Sequence, residues 1–291
     1  MYQYLRNNYT LLLLSSPSIV ILFSLSIIPL ILILVWSFWT WDPITYWIKP
    51  ILTLNSYFDI FSTGRIEVLI RTLVLSFIAS TTCLIIGFPA AYCIHFIIKG
   101  RLSIILLMLF TIPFLTSHLI RTFSWRLILG RTGLINNLLM SNNLVDEPIE
   151  WLLFSDFAVG VGLIASYLPF VIFPLLLSFR KVDENYLRAS SDLGANLFRT
   201  IYSVVIPLSM PGLFAGYMFV FAMCMGSSTE VQLLGGAAAS MLTIMINDVM
   251  RVVNFPLAFS ISTFSIIVLF ILLIIGNRFF KFDSLFKDFS W

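Results

Sequence analysis

Glu230 stands in GSSTEVQ (226–232), just beyond a long apolar stretch, and Asp248 stands in INDVM (246–250). A carboxylate at membrane depth is costly to keep, so it reads first as a group on a solute or ion path. The plainer alternatives are an interfacial acid, or a partner for Arg71, Arg121 or Arg126. Gly226 and the three hydroxyl residues after it suggest a broken or polar-lined helix end at Glu230. Tyr167 sits beside Pro169 and Pro174, where a kinked helix would free backbone carbonyls to line a path or simply to pack. Arg121 and Arg126 read as snorkelling interfacial cations, as a contact for an external protein, or as half of a gate ion pair. No GxxxxGK[ST] run occurs, and no Ser/His/Asp or Cys/His set suggests nucleophilic catalysis. His95 and His118 read as isolated. Cys83, Cys93 and Cys224 lack ligand spacing and read as small apolar residues, so neither a metal site nor a bound cofactor is expected.

The elements around these residues are set by composition. Of 291 residues, 59% are hydrophobic and 11% charged, against about 25% charged in a soluble domain. The chain therefore reads as a single all-α polytopic membrane domain over 1–291, with basic residues too scattered for nucleic acid. Six stretches are long enough to cross a bilayer as a helix: 14–38, 69–95, 102–125, 157–179, 207–229 and 256–277. Trp36, Trp39 and Trp41 mark an interface after the first, which reads as an uncleaved span. Arg6, Lys99, Arg101, Arg180, Lys181, Arg188, Arg199, Arg278, Lys281 and Lys287 fall on the side of the termini. They outnumber Lys49, Arg65, Arg131 and Arg251 opposite, so both termini are expected in the cytoplasm. Gly212-x-x-x-Gly216 permits close helix approach, read here as an interface with a paired subunit.

On the same side, between the fourth and fifth spans, lies a polar insert over 180–206. Asp183 is suited to cap a helix running to about Leu193, and Gly194 to end it in the left-handed region. Asn196 is suited to cap a second helix bearing Leu197, Ile201, Val204 and Val205 on one face. Pro207 is expected to end or kink that helix. Two short helices meeting at a glycine elbow present either an amphipathic hairpin on lipid or a shaped knob for a cytoplasmic partner.

The run YLRASSDLGANLFRTIYSVVIPLSMPG (186–212) resembles the EAA loop of ABC-importer membrane subunits. The matching positions are Ala189, Asp192-Leu193-Gly194-Ala195, Ile206-Pro207-Leu208 and Pro211-Gly212. Arg188 replaces the family's Glu and Ser190 its second Ala, which implies an ATPase surface adapted to the inverted charge. The resemblance assigns ATPase coupling to Asp183, Leu187, Arg188, Ala189, Asp192, Leu193, Gly194, Ala195, Leu197 and Pro207. TIPFLTSHLIRTFSWRLILGRTGLINNLL (111–139) and STEVQLLGG (228–236) resemble the spermidine/putrescine branch, in particular the first of its two paired membrane subunits. The likeness covers most of 68–277. It implies a bacterial inner-membrane permease subunit working by alternating access, with no enzymatic activity of its own. The implied partners are a second permease subunit, a cytoplasmic ATPase dimer carrying ATP and Mg, and an external solute-binding protein. A polyamine needs acids and aromatic faces along its route, which makes Glu230, Asp248, Tyr167 and Trp125 the pathway candidates. Neighbouring branches import ferric iron, thiamine or phosphonates. An ATP-independent secondary transporter is the reading from another class, against which no inverted repeat of broken spans is visible. A structural scaffold is a third.

Overall fold

Apolar runs broken by proline, glycine and paired hydroxyl residues dictate long helices with abrupt ends. The computed structural model describes residues 2–61, 64–236 and 239–280. Lys281 and Lys287, from the charge count above, lie outside them. The chain divides into two units, Met1–Ile66 with Ile246–Val268, and Glu67–Met245 with Leu269–Trp291.

In the first unit, α1 (Tyr2–Trp36) leads to a small antiparallel hairpin, β1 (Thr40–Asp42) with β2 (Trp47–Lys49), Trp41 opposite Ile48. These strands depart from the expected all-helical chain. Asp42 makes the turn: its carboxylate accepts from the Ile44 amide at 3.0 Å and the Thr45 hydroxyl at 2.9 Å, and meets Lys49 at 2.6 Å. The Lys49 ammonium, then the Ile44 and Thr45 donors, hold the Asp42 carboxyl down at about 2. The short helix α2 (Asn55–Ile60) follows. The Ser260 hydroxyl donates to the Ser37 carbonyl at 3.0 Å, and the Trp36 and Phe259 rings lie 5.7 Å apart.

The second unit holds the larger core. Its helices are α3 (Arg65–Tyr92), α4 (Arg101–Leu115), α5 (His118–Leu129), α6 (Leu134–Ser141), α7 (Asp156–Tyr167) and α8 (Pro169–Phe179). After them come α9 (Glu184–Asp192), α10 (Leu197–Thr200) and α11 (Ile206–Met225). The helices α12 (Leu242–Arg251) and α13 (Phe255–Phe280) end the described residues, each running through a boundary between the units. The core gathers Ala79 and Cys83 of α3, Leu163 of α7, Val171 and Leu175 of α8, and Val220 and Cys224 of α11. A Cβ on Gly212 would sit 2.4 Å from the Ser178 Cβ, and one on Gly216 would sit 3.2 Å from the Val171 Cα. The GxxxG face of α11 is therefore filled by α8 of the same chain, correcting its assignment to a partner interface.

Among the described residues, four helices are long and apolar enough to cross a membrane: Ser16–Trp36, Arg65–Ile97, Leu197–Met225 and Phe255–Gly276. Two bent pairs bring the number to six if each crosses as one span. Arg101–Leu115 meets His118–Ser141 at 98°, and Asp156–Tyr167 meets Pro169–Phe179 at 41°. The second bend is the kink expected at Pro169. The first corrects the expected unbroken helix over 102–125: Pro113 weakens the last turn of α4, and Thr116 and Ser117 are extended. Fifteen residues reach about 22 Å, short of a bilayer core of about 30 Å. Pro207 likewise does not end its helix, which runs unbroken over Leu197–Met225. The turn before it, Ile201–Val205, is a π-turn in which the Ile206 amide donates to the Ile201 carbonyl. That widened turn gives the proline ring room.

Candidate functional site

The first site is the elbow. The Asp183 carboxylate accepts from the Asn185 amide at 2.9 Å and so caps α9. The helix closes with the Gly194 amide on the Ser191 carbonyl at 2.9 Å and the Ala195 amide on the Ser190 carbonyl at 3.1 Å. This is a Schellman closure, and it places Gly194 at φ +79°. A Cβ there would meet nothing within 4 Å, so the dihedral alone demands glycine. Two residues on, the Asn196 side chain accepts from the Arg199 amide at 2.9 Å and opens α10. The Ser190 and Thr200 hydroxyls join the two arms at 2.9 Å. Leu187 turns inward against the core, while Arg188, Ala189 and Asp192 stay exposed. Arg188 meets Glu184 one turn back at 3.2 Å. An exposed pair of this spacing is worth only about 0.3–0.5 kcal/mol, so Arg188 is easily released to another acid.

Sequence reasoning gave the elbow its caps and Leu193 and Leu197 of its tip, but not Phe198, Tyr186 or Tyr202. Leu193 is 88% exposed and Phe198 81%, and Tyr186, Leu197 and Tyr202 are exposed beside them. Large apolar groups are thus held out in the open on a capped turn, where a surface of this kind is set to meet another apolar surface. The signal for Phe198 and Tyr202 was their place just past the glycine elbow, at the tip end of a helix whose Ile201 and Val205 turn inward. Pro207 is also exposed, and Ala195 is half-buried.

The second site lies where the two bends meet. After α11 ends at Met225, the chain turns through Gly226–Ser228 and resumes as a helix whose next turn, Val231–Gly235, is a π-turn. This agrees with the broken helix end read from GSSTEVQ. Glu230 opens that turn and is fully buried. Its stem lies against Gly162 of α7, where a Cβ would come 3.2 Å from the Glu230 Cγ. The Ser227 hydroxyl donates to Oε2. Oε1 lies 3.0 Å from Nε2 of His118, at ion-pair distance but without a well-directed hydrogen bond. His118 is thus not isolated, and it replaces the arginines as the counter-group of Glu230. Its side chain is 38% exposed, and its ring lies 6.0 Å from Tyr167.

Arg121 instead serves backbone carbonyls. It donates to Pro113 at 2.6 Å, near the end of α4, and to Ser166 at 3.3 Å, near the end of α7. One guanidinium therefore holds carbonyls beside both bends, neither snorkelling nor pairing with an outer acid. Arg71 pairs with Asp156 at 2.9 Å through Nε, and Arg126 lies over the Phe154 ring at 5.4 Å. A cavity of about 320 Å³ opens beside the cluster, walled by Phe114, His118, Arg121, Ser166, Tyr167 and Phe170 among others. The Ser166 hydroxyl is buried there without a hydrogen bond.

Of the four pathway candidates, Glu230 and Tyr167 come together here. Trp125 packs against the core of the same unit. Asp248 belongs to the other unit, where it is exposed and pairs with Arg251 at 3.6 Å. Among the described residues no three His, Cys, Asp or Glu side chains are grouped to hold a metal ion.

The chain has the fold of an ABC-transporter membrane subunit. It superposes on a crystal structure of a bacterial ABC transporter that imports the acidic polysaccharide alginate, with a TM-score of 0.75 and 15% identity, over 96% of this chain and 98% of that one. No protein-family profile matches. It is 37% identical over 211 residues to the spermidine/putrescine transport system permease protein PotB of Haemophilus influenzae, covering 72% of this chain and 73% of the relative. The Escherichia coli PotB is 35% identical over 212 residues, covering 72% and 75%. The chain belongs to this family of permease proteins. It is a multi-pass inner-membrane permease subunit of an ABC importer, and ATP hydrolysis resides on a separate subunit.

Proposed function

We propose that this subunit forms half of the translocation path for a polyamine such as spermidine or putrescine. The reading has six crossings, each bent pair counted once, with the termini and the elbow in the cytoplasm. The Lys/Arg asymmetry supports that orientation. A second permease subunit completes the path, a cytoplasmic ATPase dimer drives it, and an external binding protein delivers the solute. Binding-protein partnership is drawn from the alginate transporter, solved with a saccharide-bound periplasmic protein. The polyamine itself comes from the names of the relatives.

The observation that carries the coupling role is the elbow: a turn fixed by two side-chain caps and a left-handed glycine, ending in exposed Leu193 and Phe198. A rigid knob can pass a cleft's opening and closing directly to α11, because the π-turn joins α10 to it without a break. Asp183, Leu187, Asp192, Gly194, Ala195 and Pro207 shape the knob, and Arg188, Ala189, Leu193 and Leu197 face the ATPase. At the other end, the buried Glu230 carboxylate and the Tyr167 ring suit a passing alkylammonium.

The test is ATPase activity of the complex co-expressed from neighbouring genes and reconstituted in lipid. Binding protein is added with spermidine, putrescine, ferric iron or thiamine, and Arg188→Glu is run in parallel. Stimulation by a polyamine, weakened in Arg188→Glu, supports the whole reading. Stimulation by another solute keeps the importer and removes the polyamine. If no ATPase co-purifies, the coupling role fails.

A further inference from the structure

Another cavity of the second unit lies away from Glu230, in a groove between α4 and α8. It measures about 660 Å³, within the roughly 300–1,000 Å³ of ligand pockets. Its walls are polarised along their length. Lys99 and Gly100 lead into α4 at one end, and Leu107 lies seven residues further on. Arg180 follows α8 at that same end, and Phe173 lies seven residues before it. Seven helical residues rise about 10 Å. The two helices therefore set two cations at one end of a trough and only apolar side chains about 10 Å deeper, with Ile104 and Leu177 exposed along it.

The charge at the upper end is unbalanced. Lys99 has Glu184 at 3.7 Å, and among the described residues Arg180 has no salt bridge. Lys99, Arg180 and Glu184 together leave one positive charge in excess. Gly100 opens α4 at φ +74° without a side-chain cap, and Arg101 follows it, adding positive charge where the helix end is already positive. A water-borne anion would answer the charge but leave the apolar trough empty. A zwitterionic lipid would fill the trough but leave the charge.

We propose that this groove binds one anionic phospholipid, its phosphate between Lys99 and Arg180 and an acyl chain along Ile104, Leu107, Phe173 and Leu177. The phosphate competes with Glu184 for Lys99. Glu184 also pairs with Arg188, so an occupied groove alters the charge at the base of the elbow. The leaflet, though not the binding, rests on the cytoplasmic orientation proposed above.

The test is native mass spectrometry of the assembled transporter taken from phosphatidylethanolamine vesicles with or without phosphatidylglycerol. The complex is expected to retain one phosphatidylglycerol per copy of this chain. Replacing both cations (Lys99→Gln with Arg180→Gln) lowers that affinity roughly 30-fold, about 2 kcal/mol at about 1 kcal/mol per cation. Ile104→Trp, on an exposed site, fills the trough and lowers retention with both cations present. Inorganic phosphate does not displace the lipid. Equal retention of the two lipids, equal retention by wild type and the double variant, or displacement by phosphate overturns the proposal. Retention is read without substrate or ATP. Lost polyamine stimulation with retention intact therefore counts against the polyamine reading alone.

Discussion

The elbow at 183–200 lies in the open, yet each of its turns is closed by a cap a few residues away. Glu230 is fully buried, yet Oε1 has no well-directed hydrogen bond, and its counter-group comes from another helix more than a hundred residues earlier. The first region has its shape fixed by local chemistry and its surface left unpaired. The second has its shape fixed by packing and its polar groups left partly unmet. A coupling knob needs a fixed form that a partner can grip. A solute path needs polar groups that can exchange partners, and a fully satisfied carboxylate has nothing to offer a passing cation.

The sharpest break of this comparison is Glu230→Gln. It keeps the volume and removes the charge, and polyamine-stimulated transport is expected to fall about tenfold or more, the loss of about 1.4 kcal/mol or more of a charged contact. Uptake into proteoliposomes measures it, with ATPase assembly unchanged. Unaltered uptake would reduce Glu230 to a packing residue. Next come paired glycine substitutions. Gly162→Ala puts a methyl 2.4 Å from the Leu234 Cδ1, and should cost about 1–3 kcal/mol of stability, seen as a lower thermal midpoint. Gly194→Ala meets no atom but must hold φ +79°, costing about 1–2 kcal/mol, and should show mainly as weaker ATPase co-purification. If both variants lose stability and neither loses ATPase, the knob is not a docking surface. Ser190→Ala removes the bond between the arms and should cost about 0.5–1.5 kcal/mol. The smallest effect belongs to Asp42. Its carboxyl is depressed to about 2, so its contribution is complete above the unfolded value of about 3.9 and lost only as pH falls through about 2. Transport should therefore show no dependence on Asp42 between pH 5 and 8, and Asp42→Asn should abolish no pH response in that range.

The same contrast explains what could be read from the residues alone. Asp183, Gly194 and Asn196 act on backbone within three residues of themselves, and their roles were legible. His118 and Glu230 meet only after the chain has bent by 98° at Thr116–Ser117. Nothing local in either segment names the other. Pro113 was the available sign of that bend, but proline inside an apolar run is as often absorbed: Pro207 is, by the π-turn before it. Gly212 and Gly216 announced a close approach without saying to which helix.

Arg121 has a consequence of a mechanical kind. Its guanidinium grips the Pro113 carbonyl on one side and the Ser166 carbonyl on the other. The first grip spans the bend between α4 and α5, so opening that bend would stretch it. The second ties α5 to the end of α7, just before the other bend, so a push on α5 is passed to the place where α7 gives way to α8.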